Sequence, residues 1–463
     1  DYVRIRLITE LDNRYGATTI NSSCFSSLVY GQSEDYTIYV KPLLATWTGN
    51  VDTNWVTAGN WSTNSIPTST EDITIPSAPS NQPIIGPTTG ATVNNLTIEG
   101  SLSITNAGSL TVAGTSTGNI TYNLAIPDAN WHLVSSPFVG EQYNNTWITA
   151  NAIASGSGNN RAISTYDNGT PDTDTDAEGP DTATQYWRYF QANGASTAFS
   201  SGKGYSNKRT ALGNYSFTGT FPTSAITPAI SQSDNNWNLL GNPYPSYIDV
   251  DAFLTANTTK LAGAFQAIYV WNGATYTNLT SGYIQPGQGF FVHSNIASGT
   301  LSFTELMQSH RTGIAFYKNN FPNIQLSLSD GKTTKTTEIV YQEGKTLGLD
   351  PRFDVGLFDG VSSDLKIFTH LVEDNENIAF QKQTLPLANI ESIVVPVGIK
   401  ANANIKLTFS TETNNLPAGI KVFLEDRLME KFMLLDANTK HKINLSNPEN
   451  GVGRFYIHTT SSA

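Results

Sequence analysis

Between Asp72 and Val112 the apolar residues come in pairs two apart: Ile73 with Ile75, Leu96 with Ile98, Leu102 with Ile104, Leu110 with Val112. Each pair is followed within two residues by Pro, Gly or Asn. A spacing of two puts both side chains on one face of an extended strand, and the interruptions keep every strand short. Rungs of that size cannot hold a sheet alone. Stacking them buries a continuous ladder, so residues 43–125 are expected to form a short β-solenoid or a tight meander. Ahead of the ladder, WTGNVDTNWVTAGNWS sets Trp47, Trp55 and Trp61 in a Gly/Asn frame. These rings are expected to cap one end, where strand edges would otherwise be open.

The same punctuation runs through the rest of the chain. One stretch has helical spacing, VDAFLTANTTKLAGAF at 250–265, where Phe253, Leu254, Leu261 and Phe265 share a face. The fold class this pattern predicts is all-β: tandem β-sandwich modules with a short β-solenoid-like segment. A length of 463 residues leaves room for several cores.

Two segments repeat one another. NWHLVSSPF at 130–138 and NWNLLGNPY at 236–244 hold Trp131 and Trp237, Leu133 and Leu239, and Pro137 and Pro243 at one offset. Each copy continues into an aromatic strand, AISTYDNG or AIYVWNGATYTNL, and then into a G-x-G ahead of aromatic residues, SGKGYS at 201–206 and QPGQGFFV at 285–292. Two homologous β units, 126–228 and 229–310, are therefore expected, in tandem or as a pseudo-symmetric pair. Residues 311–463, with runs such as IQLSLSD, TTEIVYQ and SIVVPVGIK, read as a C-terminal β-sandwich. Residues 1–42 alternate at both ends, Val3, Ile5 and Leu7 against Tyr36, Ile38 and Val40. So few strands cannot enclose a core, and the segment reads as the closing part of another β-sandwich.

Composition excludes some functions. Charged residues make up 14% of the chain and the net charge is -12, which argues against a nucleic-acid partner, since a polyanion would be repelled. Acidity combined with neutral hydroxyl and amide surfaces fits an exported protein. Cys24 is the sole cysteine, so no intrachain disulfide can form. No apolar run approaches the ~20 residues of a membrane span.

Candidate chemistry is sparse. The histidines, His132, His293, His310, His370, His441 and His458, lack metal-ligand spacing and read as half-exposed strand residues. The G-x-G pairs lack the third glycine and the following helix of a dinucleotide loop, and read as turns that let strands cross closely. The strongest feature is YDNGTPDTDTDAEGPDTATQYW. Asp167, Asp172, Asp174, Asp176, Glu178 and Asp181 crowd together there, and a hard cation would relieve their repulsion. They form a candidate calcium site, although Ala177 stands where an EF-hand needs Gly; a solvated acidic insertion is the plainer reading. Beside it, Trp187, Tyr189 and Phe190 are candidates for stacking on a sugar. Trp131 and Trp237 alternate with apolar residues and are expected in the core.

Taken together, WTGN and GNWS, NWNLLGNPY, PGQGFFV, and a terminal segment with GLDPRFDVGLFDG and VVPVGI resemble large extracellular adhesins of Bacteroidetes-type bacteria, exported by the type IX secretion system. YGQSEDYTIYV is similar to the closing strand of a GEVED-like module. The resemblance implies a cell-surface location and a cleavable sorting domain after the terminal sandwich. The expected function is non-catalytic: an extracellular structural or adhesive protein, touching other copies of itself or cell-surface components. A filament protomer assembled by strand addition at the first module is one form of this. The alternative is a glycan-binding module array attached to a secreted polysaccharide-degrading enzyme. No enzyme activity and no membrane insertion are expected.

Overall fold

The computed structural model describes residues 2–10, 31–39, 44–87, 89–169, 186–192, 194–311, 321–436 and 439–461. The chain is all-β, with two short α-helices among the described residues. Strands β1 (Tyr2–Glu10) and β2 (Gly31–Tyr39) pair antiparallel from Tyr2↔Tyr39 to Glu10↔Gly31, tied by an Arg6–Asp35 ion pair at 2.6 Å. Cys24 lies outside the described residues.

The short apolar rungs form a parallel solenoid. Its strands are β3 (Leu44–Thr46), β4 (Asp72–Ile75), β5 (Ile84–Ile85), β6 (Gly90–Val93), β7 (Leu96–Ile98), β8 (Leu102–Thr105), β9 (Ser109–Val112), β10 (Ser116–Thr117) and β11 (Ile120–Ala125). They stack in parallel on three faces, β3-β4-β7-β10, β5-β8-β11 and β6-β9. Registers such as Ile75↔Ile98 and Val93↔Val112 align the i, i+2 pairs into buried columns. At the first end Trp47, Trp55 and Trp61 are buried edge-to-face, with centroids 5.0 and 4.8 Å apart. The other end is closed by pairing β11 antiparallel with β18 (Asn214–Gly219), which belongs to the first repeat unit. One continuous core therefore runs from Ala45 to Phe221.

The repeat is present in topology. The first unit has β12 (Trp131–Val134), β13 (Gln142–Tyr143), α1 (Asn145–Ala150), β14 (Asn160–Tyr166), β15 (Trp187–Gln191), β16 (Thr197–Ala198), β17 (Tyr205–Lys208) and β18 (Asn214–Gly219). The second has β19 (Ala229–Ser231), β20 (Trp237–Gly241), β21 (Tyr247–Asp249), α2 (Val250–Ala256), β22 (Ile268–Trp271), β23 (Tyr276–Leu279), β24 (Tyr283–Ile284), β25 (Gly289–His293), β26 (Ser298–Thr300) and β27 (Gln308–Ser309). Their main sheets run β12-β17-β14-β15 and β20-β25-β22-β23, the same order. Each helix starts on a side-chain cap, Asn144 to the Trp147 amide and Asp249 to the Ala252 amide. The helix expected at 250–265 ends at Ala256, where Asn257 turns its side chain back to the Phe253 carbonyl.

The two units clasp each other reciprocally. The Ser135 amide donates to Gly287 O at 2.9 Å, and the Gly241 amide, at the matching position, donates to Gly202 O at 3.0 Å. Val134 bridges Gln288 while Leu240 bridges Lys203. The G-x-G pairs thus serve as the place where the other unit's strand crosses. A Cβ on Gly204 would lie 2.3 Å from Leu240 O, and one on Gly241 would lie 2.2 Å from Ser135 Cβ. Gly202 and Gly287 take φ of +77° and +74°, a region that favours glycine.

The terminal module is one eleven-stranded sheet that curls back on itself around its own core. Its strands are β28 (Asn323–Ser329), β29 (Thr334–Gln342), β30 (Val355–Gly356), β31 (Lys366–Thr369), β32 (Phe380–Pro386), β33 (Val394–Ala401), β34 (Ile405–Asn414), β35 (Lys421–Asp426), β36 (Lys431–Leu435), β37 (His441–Leu445) and β38 (Glu449–Thr460). The end strands β36 and β37 approach closely enough for His441 Nε2 to lie 2.8 Å from Leu434 O. Segment 355–360 of this module packs on the second repeat unit. Phe358 lies edge-to-face on Trp237 at 4.5 Å, Asp359 accepts the indole N–H at 2.7 Å, and Tyr269 donates to Gly356 O at 2.8 Å.

Candidate functional site

Alternation along β15 decides what the first unit exposes. Trp187 and Tyr189 share one face of the strand and Phe190 takes the other. Phe190 is buried against Tyr143, with centroids 5.5 Å apart, and belongs to the core. Trp187 and Tyr189 line an open cleft of about 560 Å³ together with Trp131, Tyr166 and Tyr186. The position of Trp131 departs from the core placement expected of it. Its counterpart Trp237 is buried beneath Phe358 and Asp359, whereas the terminal module covers only the rim of the first unit, through Gly360, Val361 and Ser362. The same sheet thus has one face sealed in the second unit and one left open in the first.

The cleft wall is firmly built. Tyr166 donates to Gly360 O at 2.8 Å and accepts from Asn235 Nδ2 at 3.0 Å. Its ring meets Trp187 edge-on at 5.3 Å, and Trp131 meets Tyr189 at 6.1 Å. Arg161 and Lys208 are the charged groups on the wall; no aspartate or glutamate is among the described lining residues. Lys208 is the register partner of Trp131. Arg161 sits at a β-bulge between Arg161 and Ser164 and donates to Asn160 O at 2.8 Å.

The cleft continues into two smaller hollows. The first, about 200 Å³, shares Trp131, Trp187, Tyr189 and Val361 with the cleft and adds His132, Ser206, Trp271 and Tyr276. His132 Nε2 lies 3.2 Å from Asp128 Oδ1. Ser206 is the register partner of Leu133, beside His132 on β12. The second hollow, about 190 Å³, shares Trp271, Tyr276 and Val361 and runs under the terminal module.

The acidic candidates divide. Asp172, Asp174, Asp176, Glu178 and Asp181 lie outside the described residues. Asp167 accepts from the Gly169 amide at 2.9 Å and lies 4.0 Å from Arg188. Among the described residues no group of three or more His, Cys, Asp or Glu is arranged to hold a metal. All six histidines are half-exposed, as expected of them, and two of them have distinctive surroundings. His293 stacks on Phe265 at 4.1 Å, and burial lowers its pKa to about 4 against the opposing pull of Asp359. His310 sits on the β6–β9 face between the hydroxyls of Thr92, at 2.8 Å, and Ser109, at 2.7 Å.

Trp131, Arg161, Tyr166, Tyr186 and Lys208 were not singled out as ligand contacts by sequence reasoning. A signal for the open face exists in the repeat: on the strand face that Trp131 shares, the first unit has Ser206 and Lys208 where the second has Phe291 and His293. The exchange of Phe291 for Ser206 and of His293 for Lys208 marks the face that is left open.

Fold and groove together define a multi-module all-β protein, with a capped solenoid, a clasped pair of repeats and an aromatic groove roofed in part by a curled terminal sheet. The chain matches the family described as a domain of unknown function, DUF8693, over residues 46–281 and 272–457, and belongs to it. No curated protein and no solved structure matches the chain. Among the described residues no helix is long and apolar enough to cross a membrane.

Proposed function

We propose that the protein is an exported, non-catalytic cell-surface protein that adheres by binding a glycan in the groove between the first repeat unit and the terminal module. The observation that carries this reading is the set of Trp131, Trp187 and Tyr189 rings in an open cleft of about 560 Å³. Flat rings held rigid by their neighbours offer apolar area to a pyranose face at little entropic cost, while hydroxyls and amides around them take the sugar's polar edge. The low charge content and the adhesin-like motifs support the surface location and export. Calcium at the acidic insertion belongs to this proposal on sequence grounds alone.

Calorimetric titration of the full chain with oligosaccharides tests it. Trp131→Ala and Tyr189→Ala are expected to weaken binding at least tenfold, about 1.4 kcal/mol. Phe190→Ala is expected to leave binding intact and to cost about 3–5 kcal/mol of stability instead. Saturable binding that ignores Trp131 and Tyr189, or no binding to any glycan, would remove the reading.

A second reading, self-association by strand addition, is favoured by one observation. The β1–β2 ribbon exposes Ile5, Leu7 and Tyr36, and its outer edges carry no further strand among the described residues. Electron microscopy of native material would show filaments if it holds, and single particles if it does not.

A further inference from the structure

The innermost hollow of the groove is cationic, as is the cleft wall with Arg161 and Lys208, against the acidic balance of the chain. Lys335 on β29 and Lys366 on β31 both line it, and no carboxylate does among the described residues. Neither lysine's ammonium group makes an ion pair or a hydrogen bond among the described residues. Lys366 also stands directly opposite Lys400 in the β31–β33 register, a like-charge arrangement that costs stability in a sheet. The carboxylate that acts on Lys366, Asp359, is already engaged by the Trp237 indole N–H at 2.7 Å. Burial holds both ammonium groups below the usual lysine range; for Lys366, Lys400 and Lys335 push the same way and Asp359 opposes.

Two neutral wall residues are also short of partners. Trp271 Nε1 is a buried donor with no acceptor, and Gln381 Oε1 a buried acceptor with no donor, although Gln381 Nε2 is held by Tyr276 O at 3.0 Å. A lone buried polar atom costs about 1–3 kcal/mol. Two ammonium groups on the lining, opposed only by Asp359 acting on Lys366 from outside it, stand beside an unpartnered donor and acceptor and describe a pocket built for a small group that is anionic and also bears hydroxyls. The chain as a whole carries a net charge of -12, so the pocket reverses the local sign.

We propose that the Lys335–Lys366 hollow receives the carboxylate or sulfate of an acidic sugar residue, making the protein a reader of anionic glycans. The inference rests on the glycan reading of the groove: Trp271, Tyr276 and Val361 join this hollow to the aromatic cleft. One chain of sugars can then stack on Trp131, Trp187 and Tyr189 while its charged residue enters the lysine pocket. The volume of about 190 Å³ admits one such residue and no longer segment.

The test compares, on the full chain, a uronate-containing oligosaccharide, a neutral oligosaccharide of equal length, and inorganic sulfate alone. The acidic oligosaccharide is expected to bind at least tenfold tighter than the neutral one, with an affinity that falls as salt rises. Lys335→Met and Lys366→Met should each erase that preference by weakening the acidic oligosaccharide far more than the neutral one. Equal affinity for acidic and neutral sugars, or lysine variants that keep the preference, overturns the anionic inference and leaves the glycan reading standing. Sulfate binding as tightly as the acidic sugar overturns it too, because the site would then be one for free ions. If neither sugar binds, both readings fall.

Discussion

Half-buried His293 and buried Asp354 are groups whose titrations act on stability in opposite senses. Burial lowers His293 from 6.5 to about 4. Between those values the unfolded chain takes a proton that the folded chain refuses, so stability is lost as pH falls through that window, by about 3 kcal/mol at 1.36 kcal/mol per unit. Burial raises Asp354 from 3.8 to about 6, against the amides of Thr384 and Asp350. Its contribution is present in full below the unfolded value and is lost as pH rises through the folded one. Over roughly pH 4–6 the two slopes oppose each other. His293→Phe keeps the stack on Phe265 and removes one of them. Urea unfolding across pH 4–7 should show the variant gaining on the wild type by about 3 kcal/mol at the acid end; parallel curves would contradict the assignment. At this scale the sequence is informative about pairing and silent about covering. Alternation puts Trp187 and Tyr189 together and Phe190 apart from them, but which face meets solvent depends on a module more than a hundred residues away.

Elements were easier to read than single side chains where their signal is local. The i, i+2 pairs of the rungs announce extended strands, and stacking follows because no rung can bury its own face. What those pairs do not carry is the direction of pairing, which is parallel here since every rung turns the same way around one core. Helix α1 escapes pattern reading because six residues are too few to show a period; its start is marked only by the Asn144 cap. The G-x-G turns read as close crossings, and the structure supplies what crosses. Gly204→Ala and Gly241→Ala should therefore each force the repeat units apart, since the new methyl would lie 2.3 Å from Leu240 O or 2.2 Å from Ser135 Cβ. Overpacking of this kind costs about 1–3 kcal/mol. Gly282→Ala is not a matched control, because Gly282 has φ of +95°; Gly86→Ala is, since nothing lies within 4 Å of its Cβ position. Chemical denaturation should rank the two clasp variants well below the control, and equal stabilities would mean the crossing tolerates a side chain.

At the scale of the whole molecule, the order of modules is visible in the sequence and their fusion is not. Strand β18 of the first unit closes the solenoid, and Trp237 of the second unit is sealed by Phe358 of the terminal module. Contacts of this sort join residues far apart in the chain, which no local pattern encodes. Because the cores interlock, residues 44–461 are expected to melt in a single calorimetric transition; separate, well-resolved transitions would show independent modules. The clasp has one more implication. Each repeat holds its neighbour by equivalent atoms, so the junction has the form that two identical halves adopt around a twofold axis. A lone half, expressed without its sibling, should find a second copy of itself and shake the same hand.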